Sequence, residues 1–158
     1  MMKIAVEVDT KLVSVSPSDR ESFMSMAASH FRELSAGFEP HDDWRKHYFE
    51  KIISNPNMDL CWINSREERV GFILFGLEEH RFLPRTTGAI YELYVEPRFR
   101  RKGIARKCAQ LAIEKLQKSL PSKLQLEIMH GNVGAKKMWS SLGFKKVCER
   151  WVLEDSTH

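Results

Sequence analysis

Apolar residues recur along this chain with two periods, and the changes between them predict the order of its elements. Alternating or β-branched and aromatic runs indicate strands, whereas apolar residues three and four positions apart indicate helices. The predicted order is a strand at 12–15, helices at 16–36 and 41–54, strands at 58–63, 70–77 and 90–95, a helix at 103–119, a strand at 124–128, a helix at 132–142 and a last strand at 144–153. This order predicts a mixed α/β domain, with a parallel pair of strands around the third helix and antiparallel strands before it.

The run at 70–77 differs from the other strands because both of its alternating faces are apolar. Phe72 and Leu74 belong to one face, and Ile73 and Phe75 belong to the other. A strand of this kind is buried on both sides. We therefore expect it at the centre of the sheet.

The strand at 90–95 leads into a basic turn that contains a glycine. Pro97 should stop the strand because proline cannot donate to a ladder. Four cations precede Gly103, namely Arg98, Arg100, Arg101 and Lys102. The first turn of a helix presents unpaired N–H groups and the positive end of the dipole, and glycine lets a bulky anion approach the backbone. The turn therefore predicts a phosphate or pyrophosphate site, with a solvated basic turn as the alternative.

The motif Arg100-x-x-Gly103-x-Ala105, after a strand, resembles the coenzyme-A loop of the GNAT superfamily, which consists of N-acetyltransferases that use acetyl-CoA. A later block, Asn132-x-x-Ala135, resembles the start of the family's next motif helix. Two such blocks in the family's order make the resemblance specific. It implies that acetyl-CoA or CoA is held by residues of the strand, the turn and both helices: Tyr94, Val95, Arg100, Arg101, Lys102, Gly103, Ile104, Ala105, Arg106, Asn132, Ala135 and Trp139.

The same resemblance implies an architecture. Residues 1–158 would form a single α/β N-acetyltransferase domain with the GNAT fold. Its sheet would be mixed and mostly antiparallel, flanked by helices, with a splayed parallel pair formed by the strands at 90–95 and 124–128. Residues 154–158 are expected to be a loose tail.

The implied reaction is direct attack of a primary amine on acetyl-CoA in a ternary complex. An amine with a pKa near ~10.4 is almost fully protonated at pH 7, so the attack needs a base. The resemblance points to Glu92 as the candidate base and to the backbone N–H of Val95 as the donor to the oxyanion. A strand glutamate that faces solvent or pairs with an arginine is the alternative for Glu92.

Trp139 departs from the family pattern. The family usually has tyrosine there, and its hydroxyl protonates the leaving thiolate, whereas an indole N–H cannot act as an acid at this pH. Either the thiolate leaves unassisted, which a thiol pKa near ~8.5 allows, or another group such as Tyr94 serves. A core aromatic is the other interpretation of Trp139. This departure keeps open an alternative function, a catalytically silent GNAT-like domain that binds CoA as a sensor.

No motif identifies the acceptor, a small-molecule or peptide amine. Acids and aromatics of the first two helices and of a predicted loop at 78–88 are candidates for the entrance through which a cationic amine would reach the site: Asp42, Asp43, Trp44, Tyr48, Glu78 and Glu79. First-turn acids and core aromatics are an equal alternative. His30 lies beside the apolar face of the first helix and is interpreted as a packed histidine. Cys108 falls on an apolar helix face, so we expect it to be buried and inert.

Composition and charge exclude several classes of function. A chain of 158 residues with a net charge of +4, most of it in the basic turn, predicts one domain with one anionic site and no nucleic-acid partner. The three cysteines are widely spaced and lack ligand spacing, so we predict neither a disulfide framework nor a metal. The N-terminus does not resemble a signal peptide and no apolar run reaches a membrane span, so we expect a cytoplasmic protein. A homodimer stays open.

Overall fold

A computed structural model describes residues 8–155 of the chain. Within this range a five-stranded sheet carries helices on both faces. The strands are β1 (Thr10–Ser14), β2 (Met58–Ser65), β3 (Glu68–Glu79), β4 (Thr86–Val95) and β5 (Leu124–Leu126). The helices are α1 (Arg20–Leu34), α2 (Asp42–Ile53), α3 (Ile104–Gln117) and α4 (Val133–Ser141), with short 3-10 turns at Pro17–Asp19 and Pro97–Phe99.

The strand order follows the chain, and β3 lies in the middle of the sheet. Strands β1 to β4 pair antiparallel with their neighbours, and β5 is parallel to β4. Phe72, Ile73 and Phe75 are fully buried and Leu74 is 4% exposed, so both faces of β3 are covered. The prediction of a central strand with two apolar faces is confirmed.

Each face of the sheet has its own core. On one face, α1 and α2 pack aromatic side chains such as Phe23 and Phe49 against Trp62 of β2 and Phe72 of β3. On the other face, α3 contributes mostly small side chains and packs against Ile73 and Phe75, and Trp139 of α4 joins this core. The sheet therefore separates a mainly aromatic core on the α1 side, the aromatic layer, from a core on the α3 side that is richer in small and aliphatic residues.

Strand β4 extends beyond the end of its parallel partner β5. Its pairing with β5 covers only Gly88–Ile90 against Leu124–Leu126, while β4 continues to Val95. Where β4 meets β3, Leu74 pairs with Glu92 but Phe75 pairs with Ile90, so Tyr91 is the extra residue of a β-bulge. The C-terminal half of β4 is therefore redirected and lacks a β5 neighbour in the described sheet, as the predicted splayed pair requires.

The predicted last strand at 144–153 is wrong, since these residues form no strand in the described part of the chain. Val147, Trp151 and Leu153 are 88%, 88% and 99% exposed. A strand needs a partner edge, and β5 offers only three residues because it ends at Leu126, before the predicted end at residue 128. The loop predicted at 78–88 shrinks to 80–85 because β3 and β4 extend into it. The predicted tail at 154–158 falls mostly outside the described residues.

Candidate active site

The first turn of α3 is an uncapped helix N-terminus. Gly103 is its N-cap, has φ +80° and offers no side-chain cap. The first helical hydrogen bond runs from the N–H of Lys107 to the carbonyl of Gly103, at 3.1 Å. The preceding N–H groups, of Ile104, Ala105 and Arg106, therefore lack acceptors within the helix. These are the donors that the sequence predicted for an anion.

The shape and charge of this turn fit a pyrophosphate. A side chain at Gly103 would be strained at φ +80°, and its Cβ would lie 3.3 Å from Val8 Cγ2. Arg101 also has a positive φ, of 61°, so the backbone turns sharply just before the helix begins. Arg101, Lys102 and Gly103 are exposed, while Ile104 is 4% exposed and anchors the turn in the core. Two exposed cations thus immediately precede a helix start whose first N–H groups lack acceptors within the helix.

Arg100 occupies a different position from the other predicted cofactor ligands. Its Nε donates to the carbonyl of Val95 at 2.7 Å, and its Nη2 donates to Glu33 Oε2 at 2.6 Å. The guanidinium also lies 5.5 Å from the centre of the Tyr94 ring. Arg100 therefore braces the end of β4 against α1 and uses internal partners. Arg106, by contrast, connects α3 to α4 through a hydrogen bond to Ser141 Oγ.

The start of α4 is capped as the sequence predicted. Asn132 Oδ1 accepts a hydrogen bond from the N–H of Ala135 at 3.1 Å. Further along the helix, Trp139 is 6% exposed and packs edge-on against Phe144 with ring centres 5.4 Å apart. Trp139 is therefore packed in the core, which confirms its interpretation as a core aromatic. The consequence of having an indole instead of a phenol near the leaving thiolate stays a prediction.

Glu92 has a partner that the sequence did not predict. His30 Nε2 lies 2.5 Å from Glu92 Oε2, although the two residues are 62 positions apart. The His30 side chain is 8% exposed and that of Glu92 is 22% exposed. Neither alternative for Glu92, a solvated carboxylate or an arginine pair, describes this contact. His30 is packed, as predicted, but it also holds the candidate base.

Two tyrosines lie close to this pair. The hydroxyl of Tyr48 is buried without a hydrogen-bond partner among residues 8–155, and burial together with the charge of Glu92 raises its pKa. Burial also raises the pKa of Tyr94, with the charge of Glu33 adding to the effect. A raised pKa makes Tyr94 a weaker acid, so the structure does not favour it as a substitute for the missing phenol at position 139.

The candidate residues of the acceptor entrance are not all brought together. Trp44 and Tyr48 stack at 5.2 Å within the aromatic layer, and Asp42 and Asp43 are exposed at the start of α2. Glu78 instead accepts a hydrogen bond from the hydroxyl of Tyr91, at 2.7 Å. Tyr48 is thus the member of the predicted entrance that the charge of Glu92 reaches.

One sequence signal could have identified His30. It lies on the α1 face of Phe23 and Ala27, both of which are fully buried, so it is a polar side chain on an otherwise apolar face. A buried polar group needs a partner. The sequence could not name that partner, because Glu92 lies on another element.

The cysteines give no activated nucleophile among the described residues. Cys61 and Cys108 are buried, and burial raises the pKa of both thiols. Cys148 is exposed and lies outside any strand. Within residues 8–155 no group of three or more His, Cys, Asp or Glu residues could hold a metal ion. In the same range no helix has the length and apolarity needed to cross a membrane.

Comparison with known proteins identifies sequence relatives. The sequence profile of the acetyltransferase (GNAT) family matches residues 23–144. An uncharacterized N-acetyltransferase of Methanocaldococcus jannaschii is 24% identical over 149 residues, and the match covers 88% of this chain and 63% of that protein. The chain therefore spans less than two thirds of that relative's length.

Solved structures share the fold. A transcriptional regulator from Bacillus halodurans superposes with a TM-score of 0.75 at 19% identity, covering 92% of this chain and 99% of that chain. A predicted acetyltransferase from Clostridium acetobutylicum, solved with acetyl-CoA, has a TM-score of 0.74 at 16% identity, covering 92% of this chain and 96% of that chain. These likenesses confirm the predicted fold class.

Proposed function

We propose that this chain, which belongs to the acetyltransferase (GNAT) family, is an N-acetyltransferase. It would act as one domain and transfer the acetyl group of acetyl-CoA to a primary amine of a small molecule or peptide, by direct attack in a ternary complex. The observation that carries the proposal is the uncapped first turn of α3 at Gly103, which follows the end of β4 after one 3-10 turn. The end of β4 pairs with β3 but has no β5 neighbour in the described sheet, so a helix start suited to an anion lies next to a strand with one unpaired side.

The residues of the turn would hold the phosphates of the cofactor. Bound acetyl-CoA would supply the acetyl group as a thioester with a thiolate leaving group. The N–H groups of Ile104, Ala105 and Arg106 would donate to the pyrophosphate, and Arg101 and Lys102 would neutralise its charge. The related structure solved with acetyl-CoA supports this choice of cofactor. Tyr94, Val95, Asn132, Ala135 and Trp139 are the proposed contacts along the rest of the cofactor, and Arg100 would act by bracing Val95.

Glu92 would remove the proton from the acceptor amine, directly or through water. A positioned base contributes about 10²–10⁴ in rate. The backbone N–H of Val95, at the end of β4, would donate to the oxygen on which negative charge develops, a contribution of about 3–4 kcal/mol. The Glu92 carboxylate is partly exposed and held in place, which suits a group that must meet a substrate.

A CoA-binding sensor without catalytic activity is the second candidate. Two observations favour it: Trp139 provides no acid where the family usually has tyrosine, and a solved structure of this fold is described as a transcriptional regulator. Such a protein would bind CoA at the same turn but release none from acetyl-CoA with any amine. The two functions therefore differ in one measurable step.

The test is a thiol-release assay with acetyl-CoA and a panel of polyamines, aminoglycosides, amino acids and N-terminal peptides. With the best amine, Glu92→Gln should retain cofactor affinity and lose about 10²–10⁴ in turnover at pH 7, with partial recovery as the pH approaches the pKa of the free amine. Glu96→Gln is the matched control, because Glu96 is a carboxylate just beyond β4 that pairs with Arg98.

The outcomes separate the candidates. Thiol release that depends on an amine and falls only in Glu92→Gln supports the enzyme and its base. Equal loss in both variants would indicate a general effect of charge on the site. Acetyl-CoA binding without thiol release for any amine in the panel would support the sensor and reject the acetyltransferase.

A further inference from the structure

We propose that His30 is a positioning residue that fixes the Glu92 carboxylate for proton abstraction. This inference rests on the proposed function, since it assigns a role to a residue that acts through the candidate base. His30 lies on α1 and Glu92 on β4, so the pair joins two elements that only the tertiary fold brings together. Its basis is a contact between two side chains that are both largely shielded from solvent.

The contact defines which oxygen of Glu92 is occupied. An ionised carboxylate can only accept hydrogen bonds, so the Nε2 of His30, 2.5 Å from Oε2, must carry the proton that it donates. Among residues 8–155 the structure gives Oε1 of Glu92 no hydrogen-bond partner. Oε1 is therefore the oxygen that remains to accept a proton from an amine or a water.

The imidazole cannot easily turn away from this position. Its ring lies 5.2 Å from Phe31, 5.7 Å from Phe72 in an edge-on arrangement, and 5.4 Å from Tyr94, measured between ring centres. Only 8% of the side chain is exposed. A hydrogen bond in such surroundings is stronger than one in water, because little solvent competes for it. The aromatic layer thus holds the ring, and the ring holds the carboxylate.

The bulge in β4 aims Glu92 at this layer. Glu92 pairs across the ladder with Leu74, and Tyr94 pairs with Phe72, and both partners belong to the core on the α1 side. Tyr91, the extra residue of the bulge, precedes Glu92 and sends its hydroxyl to Glu78. The bulge therefore alters the direction of β4 immediately before Glu92, the candidate base.

The polar groups around the pair are few. Tyr48 from α2 is influenced by the charge of Glu92, and its buried hydroxyl lacks a partner among the described residues. Tyr94 from β4 contacts the His30 ring, and the charges that act on Tyr94 come from Glu33, Arg100 and Glu96. No other element in residues 8–155 contributes a hydrogen bond to the carboxylate of Glu92. His30 is thus the direct constraint on the base.

Stability alone is a weak reason for such a pair, because the hydrogen bonds that both groups make to water in the unfolded chain offset most of what the contact contributes. A positioning role would instead affect the reaction rate, because misplacing a reacting group by about 1 Å can lower the rate about 10²-fold. The test must therefore separate a loss of fold from a loss of orientation.

The experiment is a double-mutant cycle on turnover, with the amine identified by the thiol-release panel. His30→Phe keeps a flat ring but has no donor, whereas His30→Gln keeps an N–H at the position of Nε2. We expect His30→Phe to lower kcat about 10-fold or more, with little change in KM for the amine, and His30→Gln to restore most of it. In the Glu92→Gln background, His30→Phe should change kcat less than twofold.

The outcomes distinguish the inference from the proposed function. An undiminished cost of His30→Phe in the Glu92→Gln background would reject the positioning role and leave the function intact. Full turnover in Glu92→Gln would instead reject the base, and the inference with it.

A readout without substrate covers the case in which His30→Phe does not fold. In imidazole ¹⁵N NMR, Glu92→Gln should shift the Nε2 signal of His30 and leave that of His41, exposed at the start of α2, unchanged. An unchanged His30 signal would mean that the contact does not exist in solution, and would overturn the inference.

Discussion

The two faces of the sheet build their parts of the candidate site in opposite ways. On the α3 face the anion-binding part of the site comes from one continuous stretch, in which β4 ends, the turn passes through Gly103 and α3 begins. On the α1 face it comes from three separate elements, which contribute His30, Tyr48 and Glu92. One part is local in sequence, and the other is assembled by the fold.

This difference follows from the chemistry that each side would perform. An anion can be bound by backbone N–H groups, which every residue except proline carries, so the sequence needs only a glycine and cations at a helix start. Proton transfer needs a side chain of a defined type at a defined distance. Such a group is positioned by packing, and its partners can come from any part of the chain.

The two faces of the sheet also differ in the side chains that form their cores. Aromatic rings of α1 and α2 interlock with those of β2 and β3, with Phe23 at the centre of four ring contacts. The α3 face is packed by small side chains such as Cys108, Ala109 and Ala112. We therefore expect substitutions in the aromatic layer to affect the whole domain, and those at the α3 turn to affect the cofactor alone.

The largest effect should come from the aromatic layer. Phe23→Ala removes a fully buried ring and should lower the free energy of unfolding by about 3–5 kcal/mol, measured by urea denaturation. Phe82→Ala is the control, because Phe82 is 80% exposed and should change stability by less than about 0.5 kcal/mol. Equal losses in the two variants would mean that Phe23 is not the centre of this core.

The next effect should be confined to the α3 face. Gly103→Asp places a like charge and a strained residue at φ +80°, and should weaken CoA binding roughly 100-fold, or about 2.7 kcal/mol, by calorimetry. Gly37→Asp is the matched control, since Gly37 has φ +84°, lies between α1 and α2, and has open space within 4 Å of where a Cβ would stand. Similar affinity in the two folded variants would remove the pyrophosphate from this turn.

A smaller effect is expected at position 139, the residue of the α3-side core that would lie near the leaving thiolate. If an acid is missing there, Trp139→Tyr should turn over several-fold faster than Trp139→Phe, because only tyrosine carries a hydroxyl. Both variants lose packing volume at a residue that is 6% exposed, so their melting temperatures serve as the control. Equal rates at equal stability would show that Trp139 acts only in packing or as a wall for the cofactor.

The smallest effect concerns how α1 is attached to the sheet. The indole N–H of Trp62 donates to Asp19 Oδ2 at 3.0 Å, and this hydrogen bond is the main cause of the lowered pKa of Asp19. A carboxylate with a lowered pKa in the folded state stabilises the protein above its unfolded pKa, and that stability is lost as the pH falls through the folded value. Asp19→Asn should therefore lower the melting temperature slightly at pH 7.

That difference should shrink as both proteins are acidified below about pH 3.9, the unfolded pKa of an aspartate. Glu39→Gln, at an exposed position after α1, serves as the control and should show no comparable difference. A difference between wild type and Asp19→Asn that persists unchanged at low pH would mean that the charge of Asp19 has no part in the attachment.

The features that depend on neighbouring residues alone were predictable from the sequence. Periodicity was sufficient for the order of the described elements up to α4, for the central position of β3 and for the burial of Cys108. The Gly103 turn and the Asn132 cap were also predictable, since each depends on the backbone conformation of a few adjacent residues. These features need no knowledge of which elements meet.

Only the tertiary structure decided the contacts between distant elements. It joined His30 to Glu92, it engaged Arg100 with Val95 and Glu33, and it left residues 144–153 without a strand partner. Sequence periodicity reports which side of an element is apolar, but not which element will cover it. A polar side chain on an apolar face therefore predicts that a partner exists, and the fold determines which residue that partner is.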